Sequence, residues 1–178
     1  MTMLDNETIS ELKVLENPKL SHIVKRALDE DEFLNALLEN AGSDDWLLRW
    51  GISTILVQVS KRKPALLKGS IPIIQSRLSN ENKRMVRDNI AQSLLHLSKG
   101  IPEDFISNGS AQNFLAFLGS GEDHERFDAI QVMGNIVGIE PEFVKTHLDD
   151  IDASVCGIDN PVVKGHAERV LAGIRSSL

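Results

Sequence analysis

RDNIAQSLLHLSKGIP, residues 87–102, opens on Arg87 and closes on Pro102. The same interval separates Arg49 from Pro64 and Arg126 from Pro141. Pro64, Pro102 and Pro141 therefore recur at a nearly constant spacing, and Lys164 continues the series Arg49, Arg87 and Arg126. A fixed period of this length marks stacked helical units rather than one globular fold. Such units bury their cores against each other and leave long surfaces free for partners.

Within the stretch, Ile90, Leu94 and Leu97 follow Arg87 at positions +3, +7 and +10. Ile52, Leu56 and Val59 repeat these offsets after Arg49, and Ala129, Met133 and Ile136 repeat them after Arg126. Ala167, Leu171 and Ile174 do so after Lys164. That spacing is one face of an α-helix. Each proline then opens the next helix, because proline suits a first turn and drives its predecessor out of helical geometry. Lys63, Ile101 and Glu140 are therefore expected to be joints. Apolar segments at Ala65–Leu78 and Phe105–Leu118 supply the first helices of pairs, with Asn108-Gly109-Ser110 a candidate break in the latter. Polar turns at Ser79–Asn82 and Gly119–Asp123 lead into the helices that carry the basic residues.

Residues 1–42 are less regular. Ile9, Leu12 and Leu15 suggest a short helix, Asn17-Pro18 a cap and first position for a second, and Phe33, Leu34, Leu37 and Leu38 a third that closes at Ala41-Gly42. Asn160-Pro161 opens the last helix as Asn17-Pro18 opens the second. About ten helices in five pairs are expected. With no period-2 run of β-branched residues, no sheet is expected.

The segment IPIIQSRLSNENKRMVRDNIAQSLLHLS, residues 71–98, resembles a HEAT repeat. The likeness lies in Pro72 within the first helix, a short polar turn, Val86-Arg87 at the second helix, and the ladder Ile90, Ala91, Leu94 and Leu97. Residues 44–59 and 122–137 resemble the second helix of the motif. The resemblance implies an all-α, right-handed superhelix (an α-solenoid) of about five HEAT-like helical pairs. It would form a single unit over 1–178, with residues 1–42 an irregular N-terminal cap and 43–175 the repeats. HEAT repeats usually carry an aspartate in the turn within each repeat, tied to the arginines as a ladder. Here the comparable positions are Ser43, Asn80 or Glu81, and Ser120, which predicts an incomplete ladder. Function does not follow from such a fold, which hosts many.

Composition is that of a soluble folded protein, 42% hydrophobic and 25% charged. Tyrosine is absent, so Leu, Ile and Val must build most of the core. Cys156 is the only cysteine, which excludes an intramolecular disulfide. The N-terminus lacks the basic start and apolar run of a signal peptide, and no apolar stretch is long enough to span a bilayer. A cytoplasmic protein without membrane contact is expected. The net charge of −7 is uneven: residues 1–45 carry −7, 46–118 carry +6 and 119–178 carry −6. Overall acidity argues against nonspecific nucleic-acid binding, while the basic middle leaves room for an acidic partner.

The leading candidate site is Trp46, Arg49 and Trp50. The two tryptophans are one helical turn apart and lie off the apolar stripe. Arg84 and Asp88 hold their positions in the next copy, so this face is expected to be exposed. Two tryptophans there suit a binding anchor on the inner surface of a stack. Packing of both against the irregular first helices is the competing reading. Asp45, Trp46, Arg49 and Trp50 are also similar in residue type to the site of HEAT-like DNA glycosylases of the alkylpurine type. That resemblance implies a nucleic-acid-acting enzyme, for which the acidic ends of this chain are unsuited. A second candidate is the basic run Lys61, Arg62 and Lys63 in a joint between repeats, with Lys99 matching Lys61. Arg77, Lys83 and Arg84 fall on the opposite edge, so the positive charge divides between two rims. Docking of an acidic partner competes with ordinary solvated loop charge.

No catalytic constellation is expected. The five histidines show no spacing that sets two on one helical face with a carboxylate. His124-Glu125 resembles one His-Glu pair of HEAT-type di-iron hydroxylases, which need several. Cys156, expected in a polar loop over 152–160, has no base nearby in sequence. Phosphate-binding glycine loops and nucleophile elbows are absent. The sequence thus points to a non-enzymatic protein-binding or scaffolding module without cofactor or metal, its partner a protein.

Overall fold

A computed structural model describes residues 4–14 and 16–178, apart from the side chains of Asn17 and Pro18. It is all-helical, with no strand among the described residues. Two compact units are present, Met1–Gly100 and Ile101–Leu178.

The first unit holds α1 (Asn6–Val14), α2 (Asn17–Asp29), α3 (Asp31–Asn40), α4 (Trp46–Arg62), a 3₁₀ segment (Pro64–Ser70), α5 (Ile71–Asn80) and α6 (Arg84–Gly100). Helices α4 and α6 lie side by side as its spine. Asn89 on α6 donates its amide to Ser53 Oγ at 3.1 Å and Thr54 Oγ1 at 3.0 Å on α4, satisfying polar groups at that seam. Helices α2, α3 and the 3₁₀ segment pack on α4, and α5 packs on α6. Helix α1 crosses α4 at Gly51, where a Cβ would stand 2.1 Å from the Leu12 carbonyl oxygen. Leu4, Thr8 and Leu12 are the buried positions here. Ile9 is only half-buried, and Leu15 lies outside the described residues, so the apolar face of α1 is set one residue away from the expected Ile9. Helix α2 starts at Asn17 itself with Glu16 as its N-cap residue. The side-chain cap expected of Asn17 lies outside the described set.

The second unit holds α7 (Pro102–Ser107), α8 (Ser110–Leu118), α9 (Asp123–Ile136), α10 (Pro141–Thr146), α11 (Leu148–Cys156) and α12 (Pro161–Ser177). Helix α9 packs on both α8 and α12. Phe105 and Phe114 are fully buried with ring centroids 6.2 Å apart. Asn160 caps α12, accepting from the Val162 N–H at 3.0 Å and the Val163 N–H at 3.2 Å. Asn160→Ala is expected to cost about 1 kcal/mol in urea unfolding, and Asn160→Asp much less, because an N-cap carboxylate keeps the acceptor.

All twelve residues of the sequence stripe are buried, from Ile52 at 0% exposure to Leu171 at 7%. The joints also repeat. Lys63 (φ −140°, ψ 68°), Ile101 (φ −141°, ψ 59°) and Glu140 (φ −122°, ψ 63°) share one backbone conformation before their prolines. The structure has twelve α-helices among the described residues rather than about ten, because first-helix segments are split. Gly109, at φ +71°, breaks α7 from α8 in a left-handed conformation that glycine adopts without strain. His147 separates α10 from α11. The turns are also shorter than expected: α5 runs through Asn80, and α11 through Cys156, which is helical and exposed rather than in a loop.

Candidate functional site

The candidate cluster sits at the start of α4. Asp45 is the N-cap residue, its carboxylate accepting from the Leu47 N–H at 3.0 Å and meeting Lys13 Nζ at 2.6 Å. Lys13, with the Leu47 and Leu48 N–H groups, holds the Asp45 carboxyl below its usual range. Trp46, the first residue of the helix, is 41% exposed. Lys83 Nζ lies 5.8 Å from its ring centroid, within cation–π range. Trp50, one turn on, is half-buried. The pair expected to act together is thus divided into an outward Trp46 and a partly packed Trp50.

Arg49 is engaged within the chain. Its Nε and Nη2 donate to Glu81 Oε2 at 2.8 Å and Oε1 at 3.0 Å, and its Nη1 donates to the Ser43 carbonyl at 2.8 Å. The Arg49 and Glu81 side chains are 15% and 5% exposed. Burial alone would raise the Glu81 carboxyl, but the Arg49 guanidinium and the Lys83 N–H together hold it below its ordinary value. A guanidinium–carboxylate contact is therefore made here between α4 and the residue that follows α5. Arg126 instead donates through Nη1 to the Gly157 carbonyl, and Asp123 accepts from the Asp159 and Asn160 N–H groups. The sequence leaves Asn80 and Glu81 as alternatives at this position. Only the carboxylate can answer a guanidinium fork.

The basic run at the end of α4 is partly consumed by structure. Lys63 Nζ donates to the Leu28 carbonyl at 3.1 Å, near the last turn of α2, and lies 3.7 Å from Asp29. Arg62 reaches Gln58 at 3.4 Å. Lys61 is exposed and, with Lys99, flanks His96, where burial first and the two lysines next push the imidazole pKa down. On the opposite edge, the Arg77 guanidinium covers Gly42, whose added Cβ would meet its Cζ at 2.3 Å. Arg84 lies 3.8 Å from Asp88. Elsewhere His124 is 3.8 Å from Glu122, and no cluster of three or more His, Cys, Asp or Glu capable of holding a metal occurs among the described residues.

No protein-family model and no curated protein sequence matches the chain. Among solved structures, the crystal structure of an engineered protein is similar, with a TM-score of 0.67 and 16% identity over 93% of this chain and 78% of its own. At that identity the likeness shows the all-α fold alone. No helix among the described residues is long and apolar enough to cross a membrane.

Proposed function

We propose that this chain is a HEAT-like protein-binding module, a right-handed α-solenoid of about five helical pairs that engages a partner through the Trp46 end of α4. The period in the sequence, the buried stripe and the three matching joints support the architecture. Trp46 carries the functional reading. A large aromatic on a rigid, capped helix start, 41% exposed beneath a lysine, has the character of a binding anchor. Such an indole brings contact area at little cost in side-chain entropy. Lys61 supplies a separate cationic point for an acidic rim of the partner, while Lys63 serves the end of α2.

The glycosylase alternative has no observation in its favour. Arg49 is spent on Glu81 and the Ser43 carbonyl, and Asp45 on its helix and Lys13.

Trp46→Ala tests the proposal by crosslinking capture from the source cells. Proteins recovered with the parent chain are expected to fall at least about tenfold, as truncation of a hot-spot aromatic does, with the melting midpoint little changed. Equal recovery by both chains would remove the anchor.

A further inference from the structure

The guanidinium of Arg49 meets a carboxylate from within the chain, and its counterpart in the second unit donates instead to a backbone carbonyl. Arg126 is that counterpart, two periods on in the series that runs Arg49, Arg87, Arg126. Arg49 grips the Glu81 carboxylate with its Nε/Nη2 edge. The place of Glu81 relative to Arg49 is held, relative to Arg126, by Ile158, which is buried and carries no carboxylate. Arg126 uses Nη1 on the Gly157 carbonyl, and its buried Nε has no partner.

The preceding helix differs between the units as well, although Arg77 Nε, like Arg126 Nε, is buried without a partner. By the same offset, Arg77 in the first unit is matched by Ser154 in the second. Ser154 is 3% exposed and its hydroxyl has no partner. The cleft that Arg77 and Arg49 line in the first unit measures about 210 Å³. The corresponding cleft lined by Arg126 and Ser154 measures about 520 Å³, within the size range of ligand sites. Buried donors without acceptors cost stability, and two belong to residues that line this one cleft.

We propose that this cleft of the second unit binds a carboxylate, which takes the Nε edge of Arg126 as Glu81 takes that of Arg49 and accepts from the Ser154 hydroxyl. The fork geometry of guanidinium and carboxylate sets the chemistry. The surroundings set the rest of the ligand. Leu115, Ala116, Leu118 and Ala153 line the cleft, so the carboxylate carries a compact apolar body. Asp150 also lines it, and residues 119–178 carry −6, which repels a phosphate dianion more than a single carboxylate. A free branched acid and the C-terminal leucine of a peptide both present this group. The site is separate from Trp46, so its failure and that of the Trp46 anchor are read independently.

The full ¹⁵N-labelled chain, titrated with N-acetyl-leucine and with N-acetyl-leucinamide in parallel, tests the proposal. Saturating amide shifts at Gly119, Ser154 and Gly157 are expected with the acid, and at least about tenfold weaker binding with the amide. Ser154→Arg, which installs the residue of the smaller cleft, is expected to abolish the shifts. Arg126→Lys, which keeps the charge and loses the fork, is expected to weaken binding about tenfold. Melting curves establish that each variant folds, and the acid–amide comparison on the parent chain needs neither. Isovalerate and a pentapeptide ending in leucine carboxylate distinguish the sources. Tighter binding of the peptide assigns the group to a chain terminus, and equal binding to a free acid. Equal affinity for acid and amide, shifts centred on other residues, or no saturable shift at about 10 mM acid would overturn the site.

Discussion

Arg49→Met is expected to destabilise the chain by about 4 kcal/mol, and Glu81→Gln by nearer 3, since breaking a buried ion pair from one side strands the other charge. The asymmetry follows from what each partner keeps. Without Glu81, the guanidinium still donates to the Ser43 carbonyl at 2.8 Å and the Asp44 carbonyl at 3.2 Å. Without Arg49, the 5%-exposed Glu81 side chain retains the Lys83 N–H at 2.8 Å and a weaker contact to the Asn82 N–H. Arg49→Met combined with Glu81→Met is expected to cost less than the two single losses added, because no charge is left unpaired. Acidity provides a second check. Glu81 is held below its ordinary value of 4.5, so its stabilisation is fully present above pH 4.5 and is lost as pH falls through the lower folded-state value. Urea unfolding should show the gap between the parent chain and Glu81→Gln narrowing below pH 4.5. A gap of constant size down to about pH 3 would place the stabilisation elsewhere.

The residues that were legible are those whose role depends on period alone. Arg49, Arg87, Arg126 and Lys164 fix the phase, and from it the buried stripe and the conformation of Lys63, Ile101 and Glu140 follow without tertiary information. Contacts between copies were less legible. Glu81 is remote from Arg49 in sequence, and only folding shows that its side chain, rather than that of Asn80, enters the fork. Trp46 and Trp50 share a helical face by arithmetic, yet their exposure differs because neighbours cover the second more than the first. The N-terminal helices were least legible, since they have no second copy to align with. One signal was available there. Gly51 occupies the position of Asn89 in the next copy, and a glycine inside a helix marks either weakness or close approach.

Close approach is the answer, and Gly51→Ala is expected to lower stability by about 2–3 kcal/mol, within the range for overpacked sites. The new Cβ would stand 2.1 Å from the Leu12 carbonyl oxygen and 2.8 Å from the carbonyl carbon, and backbone atoms cannot turn aside as a side chain can. Either α4 or α1 must move. Helix α4 is held by α2, α3, the 3₁₀ segment and α6, so α1 is the one to leave. At 9 residues, α1 is too short to stay helical alone. The loss is then bounded by what α1 contributes in place. The burial of Leu12 and Leu4 is worth about 1.5–3 kcal/mol for each side chain, offset by the entropy its residues regain. Amide exchange should therefore accelerate over residues 6–14 while the amides of α4 and α6 stay protected. The sharper check is a change of sign. In a chain that begins at residue 16 the obstructing carbonyl is gone, and alanine should then stabilise α4 by about 0.5–1 kcal/mol over glycine. A loss of similar size in both chains would mean that Gly51 is required by α4 itself and not by the helix that crosses it.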